Sequence, residues 1–326
     1  MAQACPAQLP ELAARFRLKA VLAATEQHQD VPEAATALAT LQTVLSKAAL
    51  TRQHFDVLVN YAADLVQALS ASGTPARKQL AQATDTALQS LAANTSLSQG
   101  DRLAAMQARV ALLKLDLAPG ATAHFSPAVL AQVRAAAKLA DQHAKTPYER
   151  QALIPNAAEL LSDAGLLAES DQMLLAELPK AEAPYYHMLV LASNAQERGD
   201  TAKALDWAEK AWTTSQGAAT RLQWGSGYVA RLLELSPQDT ARISQAASQV
   251  LAEVPATPDT FYERNRRSLE KMAQRLNKWA TSEARAKLVQ QLSTQWNATC
   301  GQLPEADPAR AACAAVFPSA ASKTGA

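Results

Sequence analysis

Three cysteines, Cys5, Cys300 and Cys313, are all that the 326 residues contain, and no two of them form a CxxC pair. That excludes a thioredoxin-type redox motif within this sequence. Glycine is scarce, at ten residues, and nowhere builds the loop that cradles phosphates; HExxH and GxSxG are missing as well. The five histidines, His28, His54, His124, His143 and His187, have no histidine or cysteine partner at metal-ligand spacing. Each reads as a surface residue or a satisfied core residue. These gaps leave no catalytic residue, no metal site and no cofactor to assign. No apolar run reaches the ~18 residues of a membrane-spanning helix. An excess of one charge is also missing. The net charge is +1 and the pI about 7.7, without the basic bias of a nucleic-acid-binding surface. One stretch is locally basic: Glu263 to Lys287 carries eight Lys or Arg against three Glu, and it reads as solvated helix faces.

What is abundant is alanine. Apolar residues make up 48% of the chain, but aromatics only 5%. Alanine has the highest helix propensity and the smallest apolar side chain, so alanine-rich helices form readily and approach closely. Helix starts are written as Ser or Thr before Pro, at Thr74-Pro75, Ser126-Pro127, Thr146-Pro147, Ser236-Pro237 and Thr257-Pro258. Thr146-Pro147-Tyr148-Glu149 is a full capping box, and Asp30-Val31-Pro32-Glu33 a looser start. Between starts, apolar residues recur at spacings of three and four, as in Leu103, Met106, Val110, Leu113 and Leu117, or Trp224, Tyr228, Leu232 and Leu235. The Trp224–Tyr228 face is expected to be core. No stretch alternates as a strand does. The expected fold is all-α: roughly fifteen helices with short connections, arranged as antiparallel hairpins and stacked as a TPR-like α-solenoid.

Gly165 and Gly199 stand 34 residues apart, the period of a tetratricopeptide repeat. In the unit Tyr186–Ser215, Gly199-Asp200 turns the chain, and Ala204, Ala208 and Ala211 supply small residues for close crossing. The preceding unit is degenerate, with Ser170 in register with Ala204 and Leu174 with Ala208. The groove-facing positions of the better unit are Tyr186, Leu189, Ser193, Gln196 and Glu197, the candidate binding residues. Composition places an N-terminal helical lobe at 1–118, a repeat lobe at 119–317 and a disordered tail at 318–326, with the break in the Pro119-Gly120 linker.

Cys300 and Cys313 bracket Gly301-Gln302-Leu303-Pro304-Glu305. Pro304 ends one helix and lets another begin, which brings the two thiols within bonding reach; the alternative is a pair of idle buried thiols. Cys5 is expected to stay free.

The segment Ala218-Ala219-Thr220-Arg221-Leu222-Gln223-Trp224-Gly225-Ser226-Gly227-Tyr228-Val229 is unusual in composition. With Leu235-Ser236-Pro237-Gln238-Asp239, Phe261-Tyr262-Glu263-Arg264, Arg267-Ser268-Leu269 and the Cys300/Cys313 ending, it resembles the C-terminal helical region of bacterial cell-envelope proteins of the thioredoxin family. The likeness covers about residues 186–313, and the family's CxxC has no counterpart here. The resemblance implies a periplasmic, non-catalytic scaffold that recruits protein or peptide segments for a thiol–disulfide system. Two other readings stand beside it. One is a cytoplasmic TPR-like adaptor, because no signal peptide stands at the N-terminus, although Ala2-Gln3-Ala4 has the form of a cleavage-site ending. The other is an α-toroid enzyme whose site residues are not adjacent in sequence.

Overall fold

The computed structural model describes residues 9–118, 121 and 123–317. Cys5 and the tail after Phe317 lie outside the described residues. Within them the chain forms sixteen α-helices and two 3₁₀ turns, and no strand. Contacts divide it into two units, Met1–Ala181 and Glu182–Ala326. The composition boundary at 118/119 therefore falls inside the first unit. The chain does leave its helix there, but the helices on either side of the linker pack on each other.

The first unit holds α1 (Pro10–Glu26), α2 (Ala34–Ser46), α3 (Ala48–Gln53), α4 (Phe55–Leu69), α5 (Pro75–Ala93), α6 (Gln99–Leu113), α7 (Pro127–His143), α8 (Pro147–Asp163) and α9 (Leu167–Glu177). Each helix packs on the next, and α4, α6 and α8 also pack on one another in turn. One apolar cluster, built on Leu18, Leu41, Leu58, Leu65 and Leu88, serves α1 to α6; a second, built on Leu103, Val110, Val133 and Leu160, serves α6 to α8.

The second unit holds α10 (Tyr185–Glu197), α11 (Thr201–Thr214), α12 (Ala218–Leu235), α13 (Thr240–Ala252), α14 (Glu263–Trp279), α15 (Glu283–Cys300) and α16 (Pro308–Ala314). Successive helices pack on each other from α10 to α13 and again from α14 to α16, while α12 also packs on α14 and α13 on α15. A single core holds them, with Trp212, Tyr228, Phe261 and Trp296 its largest buried side chains. Gly225 is required by this packing: a Cβ there would fall 2.5 Å from Val250 Cγ2 and 2.9 Å from Trp212 Nε1.

Several helix starts follow from local chemistry. The Thr74, Ser126 and Thr146 side chains cap α5, α7 and α8, and Thr146 with Glu149 completes the capping box. Two Ser/Thr-Pro pairs behave otherwise. Asp239, not Ser236, caps α13, accepting from Arg242 N at 3.1 Å, while the Pro237 carbonyl accepts from Trp279 Nε1 at 2.7 Å. Thr257-Pro258 opens only a 3₁₀ turn, Pro258–Phe261, which delivers Phe261 edge-on to Trp296, and α14 begins at Glu263. The glycines 34 residues apart close α8 and α10 alike. Gly165 and Gly199 have φ of +76° and +75°. The residue after each glycine donates back to a carbonyl five residues earlier, Leu166 to Leu161 and Asp200 to Ala195, both at 2.9 Å. Ala204, Ala208 and Ala211, and in the preceding unit Ser170 and Leu174, are buried in register.

A device not visible in the sequence recurs at the hairpin ends. Arg77, Arg150 and Arg221 each sit at the third or fourth position of a helix and donate to carbonyls at the end of the helix before it. Arg77 reaches Gln67 and Ser70, Arg150 reaches Ala144 at 3.0 Å, and Arg221 reaches Trp212, Thr213 and Ser215 at 3.2–3.3 Å. Each also pairs with a carboxylate at the end of the helix that follows: Asp116 at 2.8 Å, Glu177 at 2.5 Å and Glu253 at 2.7 Å. Guanidinium suits this task because its donors fan out in one plane. Carbonyls left open at a helix end are thereby satisfied.

At the C-terminal end, Cys300 and Cys313 are joined by a disulfide, with their Cα atoms 5.6 Å apart. Both are buried, and Trp296 Nε1 donates to the Cys313 carbonyl at 2.8 Å.

Candidate functional site

The candidate binding residues all lie on α10. Amphipathic spacing turns His187, Leu191, Ala192 and Asn194 inward, which leaves Tyr186, Ser193 and Glu197 exposed and Leu189 and Gln196 half-buried. The structure brings four of the five into a row that faces α12. At one end Tyr186 meets Trp224 edge-to-face, with ring centroids 5.7 Å apart, and Tyr185 completes the aromatic shelf at 4.8 Å from Tyr186. At the other end Arg231 of α12 donates to Gln196 Oε1 at 2.8 Å and to Ser193 Oγ at 2.9 Å, while Gln196 Nε2 donates to Glu234 at 2.9 Å. Leu189 lies between them on the same helix face. Glu197 stands exposed at the end of α10, beyond the ladder.

The electrostatics of the ladder are local. Burial lowers the Arg231 pKa, partly opposed by Glu234; an arginine stays charged nonetheless.

Trp224 and Tyr228 divide the role expected of them. Tyr228 is 1% exposed and lies in the core, where its hydroxyl accepts from Arg242 Nε at 2.6 Å. Burial and the nearby Glu209 push its pKa up to about 12, against the opposing effect of Arg242. Trp224, one turn earlier, sits at the core's edge and forms the wall of the shelf; its indole N–H is buried without a partner.

On its other side α12 borders α14 across a cleft of about 180 Å³. Gln223, Ser226, Gly227 and Ala230 come from α12, and Ser268, Lys271, Met272 and Arg275 from α14. A Cβ on Gly227 would meet nothing within 4 Å, so the glycine opens the cleft floor rather than serving the packing, unlike Gly225. The α14 residues come from the locally basic stretch. Its apolar residues Leu269, Met272, Ala273 and Leu276 are buried, which turns Lys271 and Arg275 outward one helical turn apart. Sequence reasoning saw the charge but had no signal that α14 lies beside α12. Arg231 was likewise unmarked, because its partners are 35 and 38 residues away.

A wider cleft between α7 and α9 gathers Asp141, Glu169 and Glu177, but each is held by an arginine: Glu169 by Arg134 at 2.7 Å, and Asp141 and Glu177 by Arg150. Among the described residues no three His, Cys, Asp or Glu side chains gather as metal ligands would, and no helix is long and apolar enough to cross a membrane.

Fold and face together define an all-α protein whose second unit carries a row of aromatic and polar contacts between α10 and α12. No protein-family model matches the sequence, and no curated protein matches it at a significant level.

Proposed function

We propose that this chain is a non-catalytic helical-repeat module that recruits protein partners, holding an extended partner segment along the α10–α12–α14 layer of its second unit. The observation that carries this is the composition of that layer. An aromatic shelf at Tyr186 and Trp224, a hydrogen-bonding ladder at Ser193, Gln196 and Arg231, and outward cations at Lys271 and Arg275 lie on three neighbouring helices. Aromatic anchors with adaptable polar groups suit an extended peptide. The stacked, TPR-like reading of the array is supported by the matching turns at Gly165 and Gly199 and by the recurrent arginine at hairpin ends. The resemblance to periplasmic proteins of the thioredoxin family points to partners in a bacterial thiol–disulfide system. The Cys300–Cys313 bond supports an oxidising compartment.

The test is a synthetic library of short peptides, acetylated and amidated at their ends, screened against the purified chain. Binders that lose affinity about tenfold or more in Tyr186→Ala or Arg231→Ala fit the proposal. An absence of binders, or binders indifferent to both substitutions, contradicts it.

A further inference from the structure

We infer that the cleft between α12 and α14 is a carboxylate subsite that takes the acidic side chain of an extended partner segment, an inference that rests on the peptide-binding reading of this layer. Three observations converge on it. The first is an unmet hydroxyl. Helical Ser and Thr residues in this chain commonly return their hydroxyl hydrogen bond to the carbonyl four residues back, as Ser162, Ser193, Thr213, Ser268 and Thr294 do. Ser226 does not: it lines the cleft at 8% exposure, and its buried Oγ has no partner. An oxygen acceptor seated on the cleft floor supplies what it lacks.

The second observation is uncommitted positive charge. On α14, Arg266 pairs with Glu270 at 2.7 Å, and Arg264 donates to Gln223. Lys271 and Arg275 have no hydrogen-bond or ion-pair partner among the described residues, yet both border the cleft. Two cations one turn apart beside a hydroxyl donor are complementary to a carboxylate, whose two oxygens accept from separate donors. The third is size and access. About 180 Å³ is small for an organic cofactor but sufficient for one short side chain. Open space above Gly227 lets a peptide backbone approach the floor.

The peptide screen also tests this. Because the peptides are blocked at both ends, their only carboxylates are side chains. Selected sequences are expected to carry Asp or Glu at a fixed position, and changing that residue to its amide weakens binding about tenfold. The double substitution Lys271→Gln with Arg275→Gln gives a similar loss, and it flattens the salt dependence of binding. Ser226→Ala gives a smaller loss, about threefold. Binders that are sensitive to Tyr186→Ala but indifferent to the amide exchange and to the α14 substitutions overturn this inference and leave the groove standing. Binders indifferent to all of these, or no binders, overturn both.

Discussion

At the residue scale, the two glycines of Trp224-Gly225-Ser226-Gly227-Tyr228 have opposite jobs, and substitution separates them. Gly225→Ala drives a methyl to 2.5 Å from Val250 Cγ2 and 2.9 Å from the Trp212 indole nitrogen, so a packed neighbour must shift. It is expected to cost about 1–3 kcal/mol, as overpacking does. Gly227→Ala meets open space in a helix interior and is expected to gain up to about 1 kcal/mol. Urea unfolding of the two variants reads the difference; equal effects would contradict this account of α12. His54 carries the clearest pH dependence. It is 2% exposed and both ring nitrogens are buried without hydrogen-bond partners. Burial, with Arg15 next in effect, lowers its pKa below 6.5, while Asp56 and Glu11 oppose the shift. The folded state therefore holds this ring neutral and takes up fewer protons than the unfolded state. Its contribution to stability is present above pH 6.5 and declines as pH falls toward the lowered folded value. His54→Leu is expected to lose less stability than the parent between about pH 7.5 and 5.5. Parallel losses would show that His54 does not titrate against the fold.

At the element scale, the arginines at hairpin ends tie three helices at one point. Removing Arg221 takes one donor from three carbonyls and leaves the Glu253 oxygens only the longer bonds from Trp212 Nε1 and Gln249 Nε2, both at 3.3 Å. Arg221→Ala is expected to cost about 2–3 kcal/mol. Arg221→Lys recovers only part of that, because a single ammonium cannot span the same acceptors. A lysine variant as stable as the parent would refute the geometric argument. Much of the helical layout was legible beforehand, and for local reasons. Caps at Thr74, Ser126 and Thr146 depend on residues within one turn, and the Gly165 and Gly199 turns on a positive φ that glycine adopts freely. The misread starts, Ser236-Pro237 and Thr257-Pro258, fail because distant groups claim the local ones. Pro237 accepts from Trp279, and Phe261 is drawn in by Trp296. The α10 face was legible from helical period alone. Its partners Arg231, Trp224, Lys271 and Arg275 were not, since which helices become neighbours is decided by packing that no short window contains.

At the scale of the whole molecule, the last described helices of the second unit, α15 and α16, are held together by Cys300–Cys313 and by the buried Trp296. The 13-residue separation of the cysteines implies about 3 kcal/mol of stabilisation from loop closure. Reduction is thus expected to lower the unfolding midpoint of the second unit, and thiol counting on denatured, unreduced protein should find only Cys5 reactive. Three reactive thiols would remove the chain's own support for a periplasmic home. The central claim, that one layer of the second unit receives an extended partner, is most directly tested by backbone hydrogen exchange with and without a peptide selected from the library. The account predicts slowed exchange confined to α10, α12 and α14, strongest around Tyr186, Ser193 and Gly227. Protection centred on α11, α13 and α15, or within residues 9–181, would contradict it.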